Sequence, residues 1–375
     1  MKIQSPSRRI VEIDITKGTA GFLMIMAHIA GKGMLPFGTF GAVLFFFCSG
    51  MNTVLFMGKF KGLKGANFYH IFFVLLLFFG GYTQIKIAHP SKTAFIPEFL
   101  QFSALAVLLV FLLAKLFKNP LHIGYLFPLP FLFHTCFQAG LFPFLHTNAA
   151  WRYFLLGPGG FSLFPWAGYF LYGILLLHIK DKKNSPLVVI LSTGSLAAVF
   201  IFLLKMPIEK FSMSLSYIFL SLFTVSCLFF FFKFTWSRVR GKTGFLQAIQ
   251  SYTAVVGRNS LMFVYLHYFA SHYLRINTVS IPLPPTAELL LHTFVYFAIT
   301  LFFLVVYEKI KGHHDLVIPT VTAGVSIALL RYSGSFGPKM DLRLVDILIG
   351  VIFAFIYVQL RELFRNLLRK KSVNN

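Results

Sequence analysis

The chain has 375 residues, of which 57% are hydrophobic and only 12% charged, with 49 phenylalanines and a formal net charge of +23. Soluble domains carry about 25% charged residues, so a water-soluble fold is excluded for most of this length, and a mean hydropathy of +0.76 points to lipid as the solvent. The 34 Lys+Arg against 11 Asp+Glu sit in short loops between apolar runs. That pattern orients a membrane protein and argues against a nucleic-acid partner.

A helix needs about 20 apolar residues to cross the hydrocarbon layer. In chain order, apolar runs fall at Thr19–Ile29, Phe40–Met57, Phe68–Ile85, Phe99–Leu116, Leu121–Phe137 and Phe164–His178. They continue at Leu187–Leu204, Leu215–Phe232, Leu261–Leu274, Leu289–Tyr307, Leu316–Leu330 and Leu344–Leu360. Pro128 and Pro130 weaken the fifth run, and the eleventh is short. The expected fold is an all-α, polytopic integral membrane bundle of about 10–12 transmembrane helices. Residues 1–375 read as a single domain with short tails at 1–12 and 362–375.

With both termini in the cytoplasm, most Lys and Arg fall on the cytoplasmic side, among them Lys59, Lys61, Lys64, Lys180, Lys233, Arg238, Arg240, Lys311 and Arg361. This is the orientation the positive-inside rule favours. Arg8 and Arg9 are followed by Glu12, Asp14 and Lys17, and no small-residue cleavage site closes the first apolar run. That run is therefore expected to be retained rather than removed as a signal peptide. Cys48, Cys136 and Cys227 all lie inside apolar runs and form neither a disulfide framework nor a zinc spacing.

The first span carries the most chemistry. Asp14 and Lys17 are neighbours on one helix face. On a continuous helix His28 falls within about 20° of Lys17 and roughly 16 Å further along the axis. Ionisable groups at membrane depth are costly unless they face the bundle interior or water, so by default they mark function. The structural alternative is a set of headgroup-level charges with an interfacial histidine at the far end.

Later in the chain, Ser260 and His267 share a face close to two turns apart, with Arg258 and Asn259 at the cytoplasmic mouth. They read either as a donor-binding group or as a helix cap with an interhelical histidine. Trp151 and Arg152, in the extracytoplasmic stretch from Gln138 to Ser162, suit either a sugar ring or an interfacial anchor. His122, His134 and His146 read as packing or interface residues, and His313 and His314 as a hydrated loop. No metal site is expected.

Asp14-x-x-Lys17-Gly18 followed by His28 resembles the first span of the transmembrane acyltransferase superfamily. That group includes the acyltransferase-3 and heparan-alpha-glucosaminide N-acetyltransferase-like proteins. Gly41 to Cys48 with Ser49-Gly50 is similar to the family's second span. Phe164-Pro165-Trp166-Ala167-Gly168-Tyr169 with Gly173 resembles its Pro-Trp-x-Gly span. Gly257-Arg258-Asn259-Ser260-Leu261, with Tyr265 and His267, resembles a late span of the glucosaminide group. Lys17 replaces the more common Arg. The first span is closer to acyltransferase-3 and the later ones to the glucosaminide group, so the acceptor is left open.

The resemblance implies an enzyme that moves an acyl group, most often acetyl, from cytosolic acetyl-CoA or another acyl-CoA to an extracytoplasmic glycan or amino sugar. It implies catalysis by His28 as base or acyl carrier, with Lys17 and Asp14 beside it. Lys17, Arg258, Asn259 and Ser260 are the expected donor contacts, with Arg238 and Arg240 as secondary cations. Ser49, Trp151, Arg152, Trp166, Tyr265 and His267 are the expected acceptor-side contacts. Expected partners are the bilayer, the acyl donor and the acceptor, and homo-oligomer formation stays open. The competing reading is a proton-coupled secondary transporter or flippase of a glycan or lipid precursor, for which the ionisable stripe has no counterpart in the second half.

Overall fold

The computed structural model describes residues 10–29, 36–59, 65–88, 98–117, 119–142, 161–210, 212–241, 244–273, 283–311, 316–332 and 341–373. Among these the secondary structure is helical and no strand occurs. The helices are α1 (Val11–Ile29), α2 (Phe40–Lys59), α3 (Ala66–Ala88), α4 (Phe99–Leu116), α5 (Pro120–Tyr125), α6 (Pro128–Gln138) and α7 (Leu163–Ile179). They continue as α8 (Ser185–Ala198), α9 (Leu215–Val239), α10 (Phe245–Arg258), α11 (Ser260–Tyr273), α12 (Pro285–Ile310), α13 (Val317–Tyr332) and α14 (Leu342–Val373). A 3-10 turn, Pro36–Thr39, leads into α2, and a π turn, Val199–Leu203, extends α8.

Seven of the described helical segments are long and apolar enough to cross a bilayer: Phe40–Gly58, Ala66–Ile87, Phe99–Leu116, Ser185–Leu203, Leu215–Val239, Pro285–Ile310 and Leu342–Leu367. The protein is a multi-pass integral membrane protein built from helices. Each apolar run expected from the sequence falls on helix where it is described. Two shorter apolar helices, Leu163–Ile179 and Val317–Arg331, add to the set. α1 differs because Glu12, Asp14 and Lys17 occupy its first two turns, leaving a short apolar remainder.

The run Leu121–Phe137, expected as one span, is instead two helices. Pro128 and Pro130 lack the amide donor and crowd the preceding turn, so α5 stops and α6 starts afresh with proline in its first turn. Upstream, Asn119 caps α5, its side-chain oxygen accepting from the Leu121 amide at 3.0 Å.

The described helices gather into two compact units. Unit 1 comprises residues 1–59 and 106–258, and unit 2 comprises residues 60–105 and 259–375. In unit 1, α1 packs on α2, α9 and α10, α2 packs on α7, and α7 takes up α5 and α6. At one end of this unit the Lys180 ammonium pairs with Glu12 at 3.6 Å. Beside it, Lys233 pairs with Asp181 at 2.7 Å. The start of α1 therefore meets the ends of α7 and α9.

In unit 2, α14 packs on α3, α11 and α13, and α11 packs on α12. The Tyr69 hydroxyl donates to the Arg361 carbonyl at 3.2 Å, and the Gln359 side-chain amide donates to the Lys311 carbonyl. These contacts bring the start of α3 and the end of α12 to the same end as the later part of α14. At the other end of α14, Arg331 grips the buried Asp346 with two parallel bonds of 3.1 Å. α4 starts in a buried setting, so its first amides need acceptors. Gln84 supplies one, accepting from the Leu100 amide at 3.0 Å, and Gln101 accepts from the Glu98 amide at 3.2 Å.

Candidate functional site

The site is built on α1. Its first turn holds Glu12 and Asp14, where carboxylates face the positive end of the helix dipole. Thr16 and Thr19 satisfy their own hydroxyls by donating to the Glu12 and Ile15 carbonyls at 2.7 and 3.1 Å. Asp14 and Lys17 are both buried, as expected for an ionisable pair turned into the bundle. The Lys17 ammonium lies 4.4 Å from the centroid of the Phe45 ring on α2. A desolvated cation over an aromatic face gains about 2 kcal/mol, which offsets part of the cost of burying it. Cys48, the next turn of α2, is fully buried.

α10 closes this stripe from the side. A Cβ on Gly257 would overlap the Asp14 carbonyl oxygen, and a Cβ on Gly18 would overlap the Thr253 carbonyl oxygen. The two helices run antiparallel through this contact, backbone against backbone, which only glycine permits. Two sequence stretches singled out separately, Asp14 to Gly18 and Gly257-Arg258, are thus one place in the structure. Arg258, half-buried, follows directly on the glycine that lies against Asp14.

A second glycine pair joins α2 to α7. A Cβ on Gly50 would overlap the Phe170 carbonyl oxygen, and one on Gly173 would overlap that of Phe47. Ser49-Gly50 and the Phe164 to Gly173 stretch therefore also meet. Trp166 is buried within this contact, its ring edge-on to Phe46 at 5.5 Å and to Phe161 at 4.9 Å. It packs as a core aromatic. Ser49 is half-buried, and its carbonyl accepts from the Thr53 hydroxyl at 2.9 Å.

His28 stands in the last turn of α1 and is exposed on the surface of unit 1, in contrast to the buried Asp14 and Lys17. The 3-10 turn packs on α1 at Ala27, one residue before it. Trp151 and Arg152 lie outside the described residues.

Asn259, Tyr265, His267 and Ser260 belong to unit 2, where the first three have structural partners. The Asn259 side-chain amide donates to the Glu308 carboxylate at 3.0 Å, and Lys311 donates to the same oxygen at 3.1 Å. Tyr265 is buried, sharing a 3.0 Å bond with the Thr83 hydroxyl and donating to the Gly80 carbonyl at 3.1 Å. His267 is buried with Nδ1 3.0 Å from the Phe263 carbonyl oxygen, its ring stacked on Phe263 at 5.1 Å. Ser260 is half-buried in the first turn of α11.

Phe45, Thr253 and Glu308 were not anticipated. The glycines at positions 18 and 257 carried a signal for the α1–α10 contact, because small residues mark close helix approach in membranes. Nothing local pointed to Phe45 or Glu308. No family model, curated protein or solved structure matches the chain.

Proposed function

We propose that the protein is a membrane-bound acyltransferase. It moves an acyl group, in the first instance acetyl, from cytosolic acyl-CoA to an extracytoplasmic glycan or amino sugar. The observation that carries this reading is the convergence of Asp14, Lys17 and Gly257-Arg258, from opposite parts of the chain, at the charged end of unit 1. Two cationic side chains there suit the phosphates of a nucleotide thioester donor. Asp14, one turn before Lys17, puts a carboxylate on the same helix face as the lysine.

His28 lies about three helical turns further along, roughly the reach of a pantetheine arm. In the reaction, the acceptor hydroxyl or amine attacks the thioester carbonyl while His28 Nε2 or Nδ1 takes its proton. The bond from carbon to sulfur then breaks, and the CoA thiolate leaves and is protonated. The exposure of His28 supports an acceptor that arrives from outside the helix bundle.

The test is acyl transfer in proteoliposomes loaded with labelled acetyl-CoA, comparing the natural chain with His28→Ala. Loss of transfer by about a hundredfold or more, in line with removal of a general base, is the expected result. Full transfer by His28→Ala would remove the histidine from the mechanism. Movement of an intact glycan or lipid across the vesicle, with no acyl mass gained, would replace the enzyme reading with transport.

A further inference from the structure

α10 has a second face that the α1 contact does not use. At 14 residues, it spans about 21 Å and is too short to cross a bilayer of about 30 Å. Gln250, Ala254 and Gly257 turn inward and are buried. Phe245, Leu246, Ile249 and Tyr252, at the spacing of one helical face, turn outward and are 79%, 62%, 45% and 54% exposed. Four large apolar side chains on a short helix interrupted by Gln247, Gln250 and Ser251 are not a membrane span. Nor are they the wall of a soluble domain, because the helix belongs to a membrane-embedded unit.

The charge next to this face identifies what covers it. Arg238 and Arg240, which close α9 immediately before α10 begins, are both exposed. The Arg238 guanidinium lies 3.8 Å from the Phe234 ring centroid, and Phe234 is itself exposed. The Gln250 side-chain amide donates to the Thr235 hydroxyl at 2.8 Å, which fixes α10 against the end of α9, the element that carries the two arginines. An apolar helical face flanked by guanidinium groups, at the end of the unit that carries Lys180 and Lys233, matches the boundary between acyl chains and anionic headgroups.

We propose that the outer face of α10 is covered by the cytoplasmic leaflet, with Phe245, Leu246, Ile249 and Tyr252 against the lipid chains and anionic headgroups held at Arg238 and Arg240. The inference stands apart from the acyltransferase reading, since it concerns the outer face of α10 alone. Its consequence for that site is physical: the helix that grips the leaflet also has Gly257 against Asp14, so the leaflet is coupled mechanically to the charged end of α1.

The experiment uses the full chain in vesicles, with a bimane fluorophore on a single introduced cysteine at Ile249 or Tyr252, and at Gln250 as the inward control. The native Cys48, Cys136 and Cys227 are replaced by alanine. Brominated phosphatidylcholine should quench the probes at 249 and 252 several-fold more than the probe at 250. Quenching of 249 and 252 by aqueous iodide instead would overturn the proposal, as would protection from both quenchers together with cross-linked dimers.

A second measurement keeps the native cysteines. Native mass spectrometry of the full chain should show phosphatidylglycerol adducts that outnumber phosphatidylcholine adducts and fall in the Arg238→Gln/Arg240→Gln variant. Equal retention of the two lipids, or retention of phosphatidylglycerol by that variant, would overturn the anionic-lipid assignment.

Discussion

Gly257 of α10 lies directly against the Asp14 carbonyl oxygen of α1, leaving no room for a Cβ. One turn along each helix, Gly18 meets the Thr253 carbonyl in the same way. A methyl group at either place must push the helices apart where the charged stripe is formed.

Gly257→Ala and Gly18→Ala should therefore each lower stability by about 1–3 kcal/mol, the usual cost of overpacking. Because both act on one crossing, the double variant should lose less than the sum of the singles. Gly50→Ala and Gly173→Ala should behave alike at the α2–α7 contact. Gly58→Ala, whose added methyl would meet nothing within 4 Å, should be neutral or gain up to about 1 kcal/mol of helix propensity. Thermal unfolding in detergent reads all six, and a Gly257→Ala chain as stable as Gly58→Ala would remove the backbone contact from consideration.

Arg331 and Asp346 offer a test of unit 2 alone. Asp346→Ala leaves a guanidinium beside an apolar neighbourhood and should cost about 3–5 kcal/mol. Asp346→Leu combined with Arg331→Met removes both charges and should recover much of that loss. Equal destabilisation by the single and double changes would mean that the pair is not what joins α13 to α14.

If acyl-CoA docks as proposed, Lys17→Met should raise the KM for the donor by about tenfold or more, the scale of one lost charge-assisted contact. Lys17→Arg, which keeps the cation, should retain most of the affinity. A Lys17→Met enzyme with unchanged KM and reduced kcat would instead move the lysine from donor binding to the chemical step.

Lys210, between α8 and α9 and outside the candidate spans, provides a pH signature. Burial pushes its ammonium down from 10.5 to about 8. Between those values the unfolded chain still holds the proton that the folded chain has given up, so stability should rise with pH across that window. Below pH 8 both states are protonated and this contribution is flat. The difference in melting temperature between the natural chain and Lys210→Met should therefore narrow from pH 8 to pH 10.5, and a constant difference would place Lys210 in water.

The fold was largely legible because hydropathy reports directly on a lipid solvent. Phe40–Gly58 and Leu215–Val239 announce themselves by composition alone. Pro128 and Pro130 likewise carried the break between α5 and α6 in plain view. α10 escapes a hydropathy reading, since Gln247, Gln250 and Ser251 lower its hydropathy below that of a span, while its one-sided spacing emerges only as a helix.

For the site, helical spacing puts Asp14 and Lys17 on one face, and both are buried. The same spacing did not reveal that His28 would be exposed, because that depends on what packs around the last turn of α1. The Asn259–Glu308 bond was invisible for a related reason. It joins α11 to the far end of α12, and no local pattern encodes a partner that distant.

The antiparallel contact between α1 and α10 also constrains how the protein is made. Ribosomes release about 5–20 residues per second, so Gly18 enters the bilayer long before Thr253 exists to meet it. Until α10 is synthesised, the glycine groove of α1 and the ions beside it stand open to lipid or to the insertion machinery. A nascent chain arrested just after α9 should therefore leave Lys17 open to water-soluble amine reagents, and release of α10 should shut them out.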